Sequence, residues 1–280
     1  MPTRPFTILC PTDFSECSLN AIEYASRIGE HYEAVLILFH VPNLEDYKKL
    51  ANSEEPSDMH RFAAVKLTSL AETVKSESLK NGLNDCQTVI KEGKTVQTIL
   101  DYADTHAVDL IVMGTEGVND FKKNFIGTKA SKVVENALQD VFMIPRKVYF
   151  RQPRKLVYAT DYLEEDKLAI QKVVEMAGYF NCEVDIVHVG TRLRTIDKAL
   201  HQTMIEEIYP FIKYEKTNFV LKAYRDDPGL GLESYLISAK GDVLFTLSKK
   251  KSWFESLFTK NLSRKMSYFI NKPLYVIKNV

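Results

Sequence analysis

Residues 108–145 read VDLIVMGTEGVNDFKKNFIGTKASKVVENALQDVFMIP. Residues 109–113 form a short branched apolar run, the composition of a strand buried on both faces. The run stops at Gly114. Gly117 follows after two residues, and Gly127 after nine more, with Thr128 next. From Thr128 the apolar positions Ala130, Val133, Val134, Ala137 and Leu138 recur at helical spacing. Residues 141–145 are apolar again. The stretch therefore reads strand, glycine loop, helix, strand.

That order has a chemical use. Glycine has no Cβ, so it takes positive φ readily and lets a ligand approach the backbone. A helix start offers free N–H groups and the positive end of a dipole, which attract phosphate. Thr128 adds a hydroxyl beside them. A loop leaving the carboxyl end of a parallel strand is also where open α/β sheets bind ligands. The same residues have a purely structural reading: Gly114 and Gly117 make a turn, and Gly127-Thr128 caps a helix.

The spacing Gly-x2-Gly-x9-Gly-Thr after a strand ending in Met113-Gly114 resembles the nucleotide-binding loop of the universal stress protein family. Gly114, Gly117, Gly127 and Thr128 are all present. In the ATP-binding members this loop wraps the ribose and phosphates. The pattern is neither the dinucleotide G-x-G-x-x-G nor a Walker A loop, which needs Gly-Lys-Ser/Thr.

The rest of the chain extends the alternation. Strands are expected at 7–11, 34–41 and 86–91, with helices at 15–30, 59–81 and 95–106 and a polar, proline-flanked loop at 42–58. Leu19, Ala21, Ile22, Ala25 and Ile28 mark the apolar side of the first helix. Strands alternating with helices imply right-handed crossovers and a parallel, doubly wound sheet. The resemblance implies a Rossmann-like, adenine nucleotide α-hydrolase-like domain with five strands in order 3-2-1-4-5. Strands 1 and 4 are then neighbours at the switch point, with Asp13 and Gly114 on one rim.

The chain then begins again. Residues 156–189 align on 8–41 without gaps at an offset of 148: Thr12-Asp13 on Thr160-Asp161, Ala21-Ile22 on Ala169-Ile170, His40-Val41 on His188-Val189. A repeat on this scale argues for two copies of one α/β domain, at 1–147 and 148–280. Later elements follow the same pattern, with helices near 194–214, 230–239 and 259–270 and strands at 218–223, 242–247 and 274–277. The second copy loses the glycines. Where the first has MGTEG, it has Leu247-Ser248-Lys249-Lys250-Lys251, so it reads as a degenerate domain without the family's ATP site. Trp253, Phe254, Leu257 and Phe258 beside it read as core or as an apolar interface patch.

Composition bounds the function. The chain has 280 residues, 45% of them apolar, enough for two domain cores. No apolar run approaches the ~18 residues that span a bilayer, and MPTRPFTILCPTD leads into a strand without a signal-peptide layout. Cys10, Cys17, Cys86 and Cys182 have no framework of spacings, so a reduced, cytoplasmic protein without disulfides is expected. Net charge is zero. Residues 1–147 hold 16 Lys/Arg against 21 Asp/Glu, and 148–280 hold 21 against 16, giving −5 and +5. The difference reads as scatter, or as attraction between the halves. Neither half is basic enough for nucleic acid. The repeat and the opposite charges of the halves lead to an expected intramolecular pairing of the two domains. The resemblance implies the fifth strands as the meeting edges, since family dimers often pair there and pairing removes an exposed edge. A homodimer is the alternative assembly.

The resemblance distributes the site residues. Pro11-Thr12 form the small turn that precedes the family's aspartate, here Asp13, which contacts ribose or holds a metal on the phosphates. Val41 and its backbone lie where adenine sits, Met113-Gly114 end strand 4, and the N–H groups of Gly117, Gly127, Thr128 and Lys129 face phosphate. Asp13 has a structural reading too, as an N-cap or Asx turn, and the presence of Asp161 in the glycine-less copy strengthens it. His40 and His188 read as satisfied strand-end histidines. No nucleophile–base pair is evident. Glu116 could position water for slow hydrolysis or simply be solvated. The expected function is ATP binding, with or without magnesium, by the N-terminal domain of a stress-response protein, in a regulatory or sensing role. The alternative is an interaction or scaffold protein whose loop stays empty. A phospho-acceptor receiver is disfavoured, because only Asp13 of its acidic cluster is evident, and no pyrophosphatase-type SGGxDS loop occurs.

Overall fold

The computed structural model describes residues 4–43, 58–115, 128–192, 195–225, 227–248 and 272–278. The chain divides into two compact units, Met1–Phe150 and Arg151–Val280. In the first, β1 (Thr7–Pro11), α1 (Glu16–Tyr32), β2 (Val35–His40), α2 (Met59–Ser78), β3 (Asp85–Ile90), α3 (Thr95–Thr105), β4 (Leu110–Gly114), α4 (Thr128–Asn136) and β5 (Asp140–Ile144) follow one another. The strands lie in the order β3-β2-β1-β4-β5. Every described neighbour pairs in parallel: Ile8 with Leu36, Leu36 with Cys86, Ile8 with Leu110, and Leu110 with Asp140.

Burial explains the order. The interiors of β1, β2, β4 and β5 are closed to solvent, as continuous apolar runs require when helices cover both faces. β3 is the edge, and its Gln87 and Thr88 are exposed. α1 packs a broad face that includes Ala21, Ile22, Ala25 and Ile28. Leu19, expected on that face, is instead 40% exposed. At 100° per residue it lies roughly 160° round the helix from Ala21. Leu138 departs in the same way. α4 ends at Asn136, so the helical spacing does not reach it, and it is 64% exposed.

The second unit repeats the plan with β6 (Lys155–Ala159), α5 (Asp166–Phe180), β7 (Glu183–Gly190), α6 (Thr195–Ile212), β8 (Thr217–Ala223), α7 (Pro228–Ser238), β9 (Val243–Leu247) and β10 (Leu274–Ile277). Its strand order, β8-β7-β6-β9-β10, is again 3-2-1-4-5, and the pairs are parallel. The repeat extends to single hydrogen bonds. Thr12 N donates to Phe39 O (2.8 Å), and Thr160 N donates to Val187 O (2.9 Å). Phe14 and Tyr162, one repeat apart, both hold positive φ, 62° and 60°. The helix expected near 259–270, Lys249 to Lys251, and Trp253, Phe254, Leu257 and Phe258 lie outside the described residues.

Candidate functional site

In the first unit the rim is built from the carboxyl ends of β1, β2 and β4. β1 sits between β2 and β4, so Pro11, His40 and Gly114 end on the same side of the sheet. Pro11 closes β1 and Thr12 is buried. The Thr12 hydroxyl shares a hydrogen bond with Ser18 Oγ (2.9 Å) and accepts one from Phe14 N (3.1 Å). His40 Nδ1 bonds the Thr12 carbonyl at 2.7 Å, and the Phe14 ring lies 4.5 Å from the His40 ring. His188 Nδ1 meets Thr160 O at 2.8 Å, with Tyr162 stacked on the ring at 4.3 Å. Each strand-end histidine thus ties the β–α turn of the neighbouring strand to its own strand. Such a carbonyl contact calls for a proton on Nδ1 in the neutral ring.

Asp13 is half-buried. Its Oδ1 accepts from Ser15 N (3.1 Å) and from Ser15 Oγ (2.6 Å), which is an Asx turn. The helix cap itself belongs to Ser15, whose hydroxyl accepts from Ser18 N. The turn reading of Asp13 therefore holds, and the cap passes to its neighbour. A serine two residues beyond an aspartate at a strand end was the available signal for this pair, and reading the aspartate alone missed it.

Gly114 ends β4 against the first turn of α1. A Cβ there would come within 2.8 Å of Cys17 Sγ and 3.0 Å of the Cys17 backbone carbon and oxygen. Close packing of helix on strand already requires this glycine. Met113 is buried, and Val41 is 7% exposed. Thr128 and Lys129 open α4 and are exposed. β4 and β5 are parallel, so the helix between them runs back along the sheet and its N-terminus lies at the same rim. Gly117 and Gly127 lie outside the described residues, as does Glu116.

The second unit's rim differs. Asp166, at the position one repeat after Ser18, is buried. It accepts from Tyr158 OH, Thr160 Oγ1 (2.5 Å) and Leu163 N (2.9 Å). Burial pushes its carboxyl up, against the pull of those donors. Tyr162 OH contacts His201 Nδ1 at 3.1 Å, and burial, with the nearby His188, lowers the pKa of His201. Among the described residues, no group of three or more His, Cys, Asp or Glu side chains is placed to hold a metal. No described helix is long and apolar enough to cross a membrane. The four cysteines are buried and none is in a disulfide, and burial raises the Cys86 thiol to about 12 and that of Cys182 to about 11.

A parallel 3-2-1-4-5 sheet with its candidate site where strands 1 and 4 end defines a Rossmann-like α/β protein. The sequence model of the universal stress protein family matches residues 6–145, half of the chain, and the chain belongs to that family. Two universal stress proteins of Methanocaldococcus jannaschii are 25% and 26% identical to it over 139 and 154 residues. Each alignment covers 50% of this chain, and 81% and 94% of the relative. The solved structure of a universal stress protein from Archaeoglobus fulgidus shares the fold over 98% of this chain and 96% of its own, with a TM-score of 0.74 at 18% identity.

Proposed function

We propose that the N-terminal unit binds an adenine nucleotide, ATP with or without magnesium, and that binding serves a regulatory or sensing role in a stress response. One observation carries the reading. β1 and β4 are hydrogen-bonded neighbours, so Asp13, Gly114 and the start of α4 share the rim that the glycine spacing points to. The donor set suits the ligand: a carboxylate for ribose hydroxyls, and helix N–H groups with the Thr128 hydroxyl for phosphate. Pro11 and Thr12 fix the turn, and Met113 anchors the end of β4. The N–H groups of Gly117, Gly127, Thr128 and Lys129 face phosphate in this reading, with adenine toward Val41.

Calorimetry with ATP and magnesium tests it. The parent should bind about one nucleotide per chain. Gly117→Val sets a branched side chain where the backbone must meet phosphate, and should abolish binding while the protein stays folded. Thr128→Ala should weaken it by ~1–3 kcal/mol, the scale of a hydrogen bond to a charged group. Ser248→Ala in the second unit should change nothing. A Gly117→Val protein that binds like the parent removes the loop from the site.

A second reading has its own support. Val41 offers a base little surface, and Phe14 already lies against His40. A parent that retains no adenine nucleotide would favour the interaction-protein reading.

A further inference from the structure

We infer that Ser15 is a positioning residue for the ribose of the bound nucleotide, acting through Asp13; the inference rests on the ATP reading above. The Ser15 hydroxyl sits between two groups. It donates to Asp13 Oδ1 at 2.6 Å and accepts from Ser18 N at 3.2 Å. The Ser15 N–H reaches the same Asp13 oxygen at 3.1 Å. Two donors on one oxygen restrain the carboxylate plane. A carboxylate without these two donors would have more freedom about χ2 to lose on binding; Ser15 settles the orientation beforehand.

The repeat supplies an internal control. The residue one repeat after Ser15 is Leu163, which has no hydroxyl. There the Leu163 N–H goes to Asp166 rather than to Asp161. α5 starts at Asp166, two residues later than the equivalent point in α1, and its N-cap Glu165 makes no side-chain cap. The serine is present in the half that carries the glycine loop and absent from the half that lacks it. The second half forms its helix without a serine at this position, so helix formation by itself does not require one.

Capping and positioning can be separated. Ser15→Asp keeps a good N-cap, but its side chain cannot donate to Asp13 and repels it, leaving only the backbone N–H contact. Ser15→Gly retains most of the capping and removes the hydroxyl. Ser15→Thr restores a hydroxyl. Each is titrated by calorimetry with ATP and with 2′,3′-dideoxy-ATP, and thermal midpoints are recorded. Ser15→Asp and Ser15→Gly should bind ATP roughly tenfold more weakly, the loss expected of a misplaced charge-assisted hydrogen bond. Their affinity for the dideoxy nucleotide should stay within about twofold of the parent's on the same argument, and Ser15→Thr should recover most of the ATP affinity. Equal losses for both nucleotides would make Ser15 a structural residue and overturn the inference, as would unchanged ATP binding in both variants. A parent that binds neither nucleotide fails the ATP reading itself, which the same titrations record separately.

Discussion

At Gly114 a methyl group has nowhere to go. Its neighbours would be the Cys17 backbone at 3.0 Å and Cys17 Sγ at 2.8 Å, and a helix backbone cannot swing aside as a side-chain end can. Gly114→Ala should cost ~1–3 kcal/mol, the usual scale of overpacking, read as a lower urea midpoint. Gly178 is the contrast. It lies inside α5, and a Cβ there meets nothing within 4 Å, so Gly178→Ala should stabilise by roughly 0.5–1 kcal/mol through reduced backbone entropy in the unfolded chain. Equal effects of the two substitutions would contradict the packing account. Asp166 gives a pH signature. Its folded pKa is raised by burial, so the folded state holds the proton more tightly than the unfolded chain does. The stability this contributes is present below the ordinary carboxylate pKa and is lost as pH rises to the folded value. Asp166→Asn removes that slope. Relative to the parent, the variant should look worse at acid pH than at neutral pH in urea titrations. A difference independent of pH, or one of opposite sign, would refute the assignment.

Among the elements, the strands were the most legible. β1 and β10 fall at 7–11 and 274–277 as the apolar runs place them, and the other strands given ranges differ by one residue at one or both boundaries. A run buried on both faces has one periodicity and sharp ends. Helix faces were less legible. Leu19 and Leu138 are apolar, yet one lies on the outer side of α1 and the other beyond the end of α4, and exposed leucines are common enough that composition alone does not sort them. At the site, Asp13, Gly114 and Thr128 could be read from the sequence because a strand, a glycine and a helix start follow one another in order. His40 and His188 read correctly as satisfied, though their partners depend on a side-chain direction that the sequence does not carry. The Ser15–Asp13 pair had its signal in the two-residue spacing and was missed. Gly114 was legible for a different reason from the one that operates: the α1 backbone demands the glycine before any ligand does. The second half's gapless match to the first was legible because an offset of 148 keeps Thr160, Tyr162 and His188 in the geometry of Thr12, Phe14 and His40.

For the whole molecule, the two units carry the same topology with different interiors, so their stabilities should differ. At about 130–150 residues, each is large enough to bury a core by itself, and each has its own sheet and fully buried side chains: Ile8, Leu36, Phe39 and Leu110 in the first, Leu156, Tyr158 and Phe245 in the second. Where the first has Cys10 and Ser18, the second has Tyr158 and Asp166; where the first has Ile37 on β2, the second has Asp185 on β7. Asp185 is buried, paired with Lys155 Nζ at 2.9 Å, and accepts from Asn218 Nδ2 and Tyr235 OH, both at 2.9 Å. Lys155 stays partly exposed and also meets Glu183, so the desolvation falls on Asp185, a cost that the apolar Ile37 does not carry, and Asp166 is held by uncharged donors alone. Produced separately, residues 1–150 and 151–280 should each fold cooperatively, and the second should unfold at the lower urea concentration. Residues 1–150 alone should keep the ATP affinity of the whole chain. Circular dichroism of the two fragments decides the first two points and calorimetry the third. A second unit that outlasts the first would mean that its buried polar network stabilises more than the apolar core it replaces, and a fragment that fails to fold would show that the units do not fold independently.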